Sequence, residues 1–125
     1  MIMIENNTGN LVEVTVQGAL QEGDFKDLAQ RADALIEKYG HVRIMVDVSR
    51  FEGWENFEAA ERHFDFVRRH HENVERLAVI AGHAWQHWMA AMGGVFLHPE
   101  VKVFDPAQRE DAKRWALAGG RIAAE

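Results

Sequence analysis

Histidines are the side chains in this sequence with the clearest capacity for chemistry. The chain has seven histidines and no cysteine. His83 and His87 lie four residues apart, a spacing that places two imidazoles on one helix face. Further histidines that could supply a third metal ligand are His63, His70, His71 and His98. A zinc site needs three or four converging ligands with supporting carboxylates, and the motif His-Glu-x-x-His is absent. We therefore expect no metal ion and no other cofactor.

Nucleophilic or phosphate-transfer chemistry has weaker support in the sequence. Asp47 and Ser49 could form a triad with a histidine, but the Gly-x-Ser-x-Gly turn that presents a nucleophilic serine is absent. Gly93-Gly94 lacks the lysine and the glycine spacing of phosphate-binding loops, and it indicates the end of a helix. Most acidic residues fall at positions predicted to face solvent. The sequence thus predicts a protein that is not an enzyme.

Aromatic and methionine side chains are concentrated in one short predicted helix, residues 84–92, and just after it. They recur at helical spacing and are Trp85, Trp88, Met89, Met92 and Phe96. Such spacing forms one apolar stripe. Packing of the stripe on the sheet is the simpler interpretation. Tryptophan and methionine also suit interfaces and irregular ligands, and their number here favours a partial binding site.

The predicted helix 55–70 offers an opposing wall. Its apolar stripe is Trp54, Phe57, Ala60, Phe64 and Val67, and its margin is Ala59, His63, Phe66 and His70. On the other side, Glu58–Arg62 and Asp65–Arg69 have the i,i+4 spacing of ion pairs. From the two helices we predict a ligand-binding site that consists of Trp54, Phe57, His63, Phe66, Trp85, Trp88, Met89, Met92 and Phe96.

Strands and helices alternate along the chain. The predicted strands are residues 1–5, 11–17, 42–48, 75–81 and 101–104, and turn formers at 7–10 predict a hairpin. Helices are predicted at 25–39, 55–70, 84–92 and after Pro106, the first with Asp24 as its N-terminal cap and Gly40 at its end. The order β-β-α-β-α-β-α-β-α predicts an α/β fold with a mixed, mostly parallel β-sheet flanked by about four helices.

Composition places the chain among ordinary globular domains. Its 125 residues are 47% hydrophobic and 27% charged, which predicts one domain over residues 1–125. A net charge of −6 argues against a nucleic-acid partner and against strong attraction to anionic membranes. The absence of cysteine fits a reducing compartment. No apolar run is long enough to span a bilayer and no signal peptide is apparent, so we expect a cytoplasmic protein.

Several stretches resemble the SpoIIAA-like branch of the STAS superfamily. They are residues 11–18 leading into Asp24-Phe25, then 46–54, 74–79, Ala84-Trp85 and 103–105. The resemblance covers nearly the whole chain and implies the STAS fold. That fold is also similar to the lipid-carrying CRAL-TRIO proteins, which would imply an apolar ligand or membrane contact.

STAS relatives include anti-sigma-factor antagonists that are switched by phosphorylation of a serine at the start of the second helix. The corresponding stretch here, residues 52–55, contains no serine or threonine. Asp47-Val48-Ser49 resembles the family's preceding Asp-hydrophobic-Ser segment, and Ser49 is expected to hydrogen-bond backbone in the turn. The resemblance therefore implies a relative without the usual phosphorylation switch.

Three functions stay open from the sequence. The leading hypothesis is a non-catalytic module that binds a lipid or other small apolar ligand, or touches a membrane surface, through the two aromatic helices. The alternative is a regulatory protein–protein interaction module that binds its partner at the same face. An unrecognised enzyme or metal protein is the third. A homodimer is a further expectation, because dimerisation often hides exposed aromatic surface in a small domain.

Overall fold

The computed structural model describes residues 1–82 and 100–118. Its strands are β1 (Ile2–Thr8), β2 (Leu11–Leu20), β3 (Val42–Trp54), β4 (Val74–Ile80) and β5 (Glu100–Phe104). The α-helices in these two ranges are α1 (Phe25–Tyr39), α2 (Phe57–His70) and α3 (Arg109–Leu117). Short 3-10 turns lie at Glu22–Asp24, His71–Asn73 and Pro106–Gln108. The predicted helix 84–92 lies outside the described residues.

The five strands form one sheet in the order β1-β2-β3-β4-β5. Strands β1 and β2 are antiparallel and joined by the turn at Gly9, whose φ is +59°, and all later neighbours are parallel. A positive φ favours glycine because a Cβ would strain the backbone there. The prediction of a mixed, mostly parallel sheet with flanking helices is confirmed.

Of the two caps predicted for α1, the one at its C-terminal end is present and the one at its N-terminal end is not. Gly40 has a φ of +89°, and its N–H donates to the Ile36 carbonyl at 2.7 Å, so the predicted C-terminal cap is confirmed. Asp24 precedes the helix, but its side chain makes no capping hydrogen bond to the first turn. Its carboxylate instead accepts from the Gln21 N–H at 2.8 Å and lies 3.4 Å from the N-terminal amine. The predicted capping role of Asp24 is therefore wrong.

Strand β3 is longer than the sequence predicts. The ladder of β2 and β3 continues past Asp47, with Gln17 opposite Arg50 and Leu20 opposite Trp54. Residues 51–54, which lie beyond the predicted strand 42–48, are consequently part of β3. Helix α2 then begins at Phe57, where the Asn56 side chain accepts from the Ala59 N–H at 2.9 Å. The added strand length places Trp54 beside α2.

Each face of the sheet has its own core. On one face α1 and α2 cover a cluster that includes Val12, Val14, Phe25, Leu28 and Ile44. On the opposite face α3 covers a second cluster, which includes Leu11, Met45, Ile80, Phe104 and Ala112. Neighbouring residues of a strand point to opposite faces, as Leu11 and Val12 do here. In β4, Ala78, Val79 and Ile80 are all buried, so this strand is covered on both faces.

Two arginines hold the C-terminal end of α3. The Arg43 side chain is 1% exposed and donates from Nη1 to the carbonyls of Ala116 at 2.6 Å and Ala118 at 2.8 Å. Its Nε donates to Glu75 at 2.8 Å. Arg76 donates to the Trp115 carbonyl at 2.6 Å. The last carbonyls of a helix lack intrahelical partners and carry partial negative charge, so both cations stabilise this end.

Candidate functional site

Three large aromatic side chains are exposed around α2. Trp54 is 41% exposed, Phe57 72% and Phe64 65%, and we call these three residues the aromatic surface. Phe57 and Phe64 are seven residues apart and therefore lie on one side of the helix. The half-buried Ala60 and Val67 lie between that side and the part of the helix that faces the core. The result is a continuous apolar flank of α2 that reaches from the core edge to solvent.

The inward row of α2 is formed by Ala59, His63, Phe66 and His70. Ala59 and His70 are buried, and His63 and Phe66 are partly buried. The ring of Phe25 on α1 stacks on His63 at 5.1 Å and lies 6.0 Å from the Phe66 ring. Two predicted ligand-binding residues, His63 and Phe66, therefore lie in the α1–α2 interface.

A hydrogen bond joins the exposed and inward parts of this site. Trp54 Nε1 donates to His63 Nδ1 at 3.1 Å. Because an indole N–H can only donate, Nδ1 must accept, and the His63 ring is neutral with its proton on Nε2. Burial lowers the pKa of His63 from its ordinary value of 6.5, which favours the same neutral form. Phe51 packs edge-on against the Trp54 ring at 5.3 Å and supports it from the other side.

His70 fastens the far end of α2 to α1. Its Nδ1 lies 2.8 Å from the Phe66 carbonyl and its Nε2 lies 2.8 Å from Asp33 Oδ1. Both neighbouring atoms are oxygen acceptors, so the ring nitrogen that carries the proton donates to one of them. This side chain is buried within the helix pair and holds α2 at a fixed position beside α1.

The ion pairs made by the charged side chains of α2 differ from the predicted ones. Arg62 pairs with Glu22, before α1, at 3.5 Å, and Arg68 pairs with Asp65. The guanidinium of Arg68 also lies 5.6 Å from the centre of the Phe64 ring, within range of a cation–π contact. The predicted i,i+4 pairs Glu58–Arg62 and Asp65–Arg69 are wrong, because Arg62 pairs with Glu22 and Asp65 pairs with Arg68 instead.

A family model described as SpoIIAA-like matches residues 11–117. The chain belongs to the SpoIIAA-like family. Two solved structures are similar in fold. The first is an uncharacterized protein of the DUF3478 family with a SpoIIAA-like fold from Shewanella loihica PV-4, 20% identical with a TM-score of 0.72 over 93% of this chain and 92% of that one. The second is the anti-sigma factor antagonist SpoIIAA in its unphosphorylated form. It is 12% identical with a TM-score of 0.60, and the match covers 91% of this chain and 98% of that one. No curated protein matches the chain.

In this SpoIIAA-like protein, the stretch that the resemblance relates to the phosphoacceptor forms the end of β3 and the residue after it. Ser49 lies earlier in β3 and donates from Oγ to Asp47 Oδ1 at 2.6 Å. Asp47 also accepts from the Ser49 N–H at 2.9 Å and from Arg109 at 3.1 Å. The expected hydrogen bond from the Ser49 hydroxyl to backbone is therefore wrong, because a carboxylate two residues away is the closer acceptor.

Only part of the predicted ligand site can be placed. Trp54 and Phe57 are exposed, while His63 and Phe66 pack inward. The other predicted members lie outside the described residues: Trp85, Trp88, Met89, Met92 and Phe96. Phe64 was omitted from the predicted site, although its spacing from Phe57 signals a shared face. Phe25 was also missed, and no local signal connects it with His63.

Two other features of the SpoIIAA-like chain bear on its ligands. A groove of about 460 Å³ lies between β1 and α1, lined by Ile2, Ile4, Asp27, Gln30, Arg31 and Ala34. None of these belongs to the predicted ligand site. Within residues 1–82 and 100–118, no group of three or more potential ligands could hold a metal ion. His83, His87 and His98 lie outside that range. Among the helices of the same two ranges, none has the length and apolar character to cross a membrane.

Proposed function

We propose that this SpoIIAA-like chain is a single-domain, non-catalytic regulatory module that binds a protein partner through the aromatic surface. The observation that carries the proposal is the exposure of Phe57 and Phe64 on one side of α2, beside Trp54. Grouped apolar side chains in contact with water typically mark an interaction surface. Membership of the SpoIIAA-like family favours a binding or regulatory role.

The shape of the surface favours a protein over a small ligand. Small-molecule sites are concave and bury most of the ligand, whereas Phe57 and Phe64 project from the outer side of a helix. Protein interfaces combine aromatic anchors with a polar rim in which arginine is common. Exposed Arg68, beside Phe64, provides such a rim. One structural neighbour is called an anti-sigma factor antagonist, a name that describes action on another protein.

The test compares three forms of the full chain as baits in lysate of the cells that express it: wild type, Phe57→Ser/Phe64→Ser, and Tyr39→Ser. Tyr39 is an exposed aromatic residue on α1 and serves as the matched control. Any captured protein is purified and titrated calorimetrically against each form. Loss of two aromatic anchors is expected to weaken binding by about tenfold or more, with Tyr39→Ser unchanged.

The outcomes of this titration are distinct. A captured protein that binds the double variant as tightly as wild type contradicts the proposal, and capture by itself does not support it. Circular dichroism of the double variant checks that the helices are intact. If every protein that wild type captures is also captured by the double variant, the aromatic surface has no protein partner in those cells.

A lipid-like or other apolar ligand is the second candidate, favoured by the same exposed rings and by Arg68 beside Phe64. Aromatic residues flanked by basic ones suit the boundary between lipid headgroups and acyl chains. The test is co-sedimentation with vesicles of phosphatidylcholine alone and of phosphatidylcholine with phosphatidylglycerol, and the fluorescence of Trp54 is followed. Sedimentation that the Phe57→Ser/Phe64→Ser change abolishes supports this candidate, and an unchanged spectrum without sedimentation removes it.

A further inference from the structure

Trp54 and His63 come from different elements and depend on each other. Trp54 ends β3, and His63 lies in the second turn of α2. The indole N–H of Trp54 donates to His63 Nδ1 at 3.1 Å, and the two ring centres are 5.7 Å apart. Among the described residues, His63 makes no other hydrogen bond. The bond requires a neutral imidazole, because a protonated ring would present a second donor to the indole N–H.

Among the residues that the structure describes, none forms an ion pair that would stabilise the protonated form of His63. Phe25 covers one face of the ring at 5.1 Å, and burial lowers the pKa of His63. The charged residues and histidines of the elements packed around His63 are Glu22 and Asp24 in the turn before α1; Lys26, Asp27, Arg31, Asp33, Glu37 and Lys38 on α1; Arg43, Asp47, Arg50 and Glu52 on β3; Glu55 before α2; and Glu58, Glu61, Arg62, Asp65, Arg68, Arg69 and His70 on α2. Among them, Glu22 pairs with Arg62, Asp24 with the N-terminal amine, and Glu55 accepts from Gln21, and within the described residues none forms an ion pair with His63.

From this geometry we infer that His63 is a positioning residue that makes the aromatic surface sensitive to pH. The neutral ring holds Trp54 in place against α2, and protonation of Nδ1 breaks the hydrogen bond and releases the indole. The inference concerns the free protein, and only its consequence for partner binding rests on the proposed function. The surface is complete near neutral pH and loses its Trp54 part as the solution becomes acidic.

The release of Trp54 is measurable by NMR without any partner. The chain has four tryptophans, so the indole N–H resonance of Trp54 is assigned with Trp54→Phe. In wild type this resonance is expected to shift between about pH 8 and about pH 5, with the same midpoint as the His63 ring. In His63→Asn the amide oxygen replaces Nδ1 as an acceptor and does not titrate, so the resonance is expected to stay at its neutral-pH position.

His63→Phe completes the set, because it keeps an aromatic ring against Phe25 but removes the acceptor. Its Trp54 resonance is expected at the released position throughout the pH range. A Trp54 resonance that does not move in wild type overturns the inference, as does an equal pH response in His63→Asn. Chemical denaturation of each variant confirms that a shifted resonance does not arise from unfolding.

The consequence for binding is tested separately, by calorimetric titration of the purified protein that the wild-type bait captures. Loss of one positioned side chain is expected to weaken binding about two- to tenfold between pH 7.5 and pH 5 in wild type, and His63→Asn is expected to show no such change. If the NMR titration behaves as described and no partner exists, the proposed function fails while the Trp54–His63 switch stands. If a partner binds equally at both pH values while the indole moves, the switch does not regulate binding.

Discussion

At the scale of single residues, aromatic side chains of α1 and α2 differ in what they contribute to stability. Phe25 on α1 is 7% exposed and contacts His63 and Phe66, whereas Phe57 on α2 is 72% exposed. Phe25→Ala is therefore expected to lower the free energy of unfolding by about 3–5 kcal/mol. Phe57→Ser and Phe64→Ser are each expected to change it by less than about 0.5 kcal/mol. Urea denaturation of the three variants measures both.

A large loss of stability in Phe57→Ser would contradict the exposed position of that ring and would show that the ring packs in the core. In that case loss of partner binding by the same variant would no longer report on contact. The comparison with Phe25→Ala thus validates the variants used to test the aromatic surface.

His63 is expected to contribute to the pH dependence of stability. The pKa of His63 is lowered in the folded state. Above about pH 6.5 the ring is neutral in both states and contributes no pH dependence. As the pH falls below that value, the unfolded chain takes up the proton first, so the free energy of unfolding falls until the folded form also titrates.

Urea denaturation at several pH values from about 8 to about 5 tests this expectation. Wild type is expected to lose more stability over this range than His63→Asn, whose side chain does not titrate. Equal losses in both proteins would show that His63 binds its proton equally well in the folded and unfolded chains.

At the scale of elements, the attachment of α3 depends on Arg43. Arg43→Met keeps an apolar stem but leaves the carbonyls of Ala116 and Ala118 without their donor and breaks the pair with Glu75. Breaking a buried ion pair by removing one partner costs about 3–5 kcal/mol. The matched control is Arg50→Met on the exposed end of the same strand, with an expected change within about 0.5 kcal/mol.

Thermal and urea unfolding compare the two variants, and the near-ultraviolet signal of Trp115 reports on α3 because Trp115 packs beside Phe104. If Arg43→Met is as stable as Arg50→Met, then apolar burial holds α3 in place and the two carbonyls find water.

At the scale of the whole molecule, the area of the aromatic surface limits how tightly two copies of the chain are expected to associate. A stable interface buries about 800 Å² on each partner, and one aromatic side chain contributes about 150–250 Å² when fully buried. Three partly exposed rings fall short of the stable range, so the homodimer expected from the sequence remains a prediction and would be weak. Sedimentation velocity is expected to show a mass that rises only at high concentration in wild type and not at all in Phe57→Ser/Phe64→Ser.

A tight dimer at low concentration, or one that persists in the double variant, would contradict this expectation. If a tight dimer of wild type dissociates in Phe57→Ser/Phe64→Ser, a second copy of the chain occupies the aromatic surface. A dimer that persists in the double variant would place the interface elsewhere on the molecule, for example at the edge strand β1.

The sequence by itself determined the order of the described elements, the mixed sheet and the family. Local signals such as the periodicity in residues 12–16 and the cap at Gly40 contributed to this, because hydrophobic alternation and helix termination depend on neighbouring residues. The family resemblance rested on the order of these elements and is confirmed by the match over residues 11–117.

Only the tertiary structure decided which side chains form the site. Strand β3 extends to Trp54 because β2, more than thirty residues earlier, supplies its ladder. His63 became a buried acceptor because Phe25 and Trp54, from two other elements, converge on it. Helical spacing places Phe57 and His63 on one broad apolar stripe, and packing against α1 separates them into an exposed ring and a covered one. Burial depends on contacts between distant parts of the chain, and no local pattern records them.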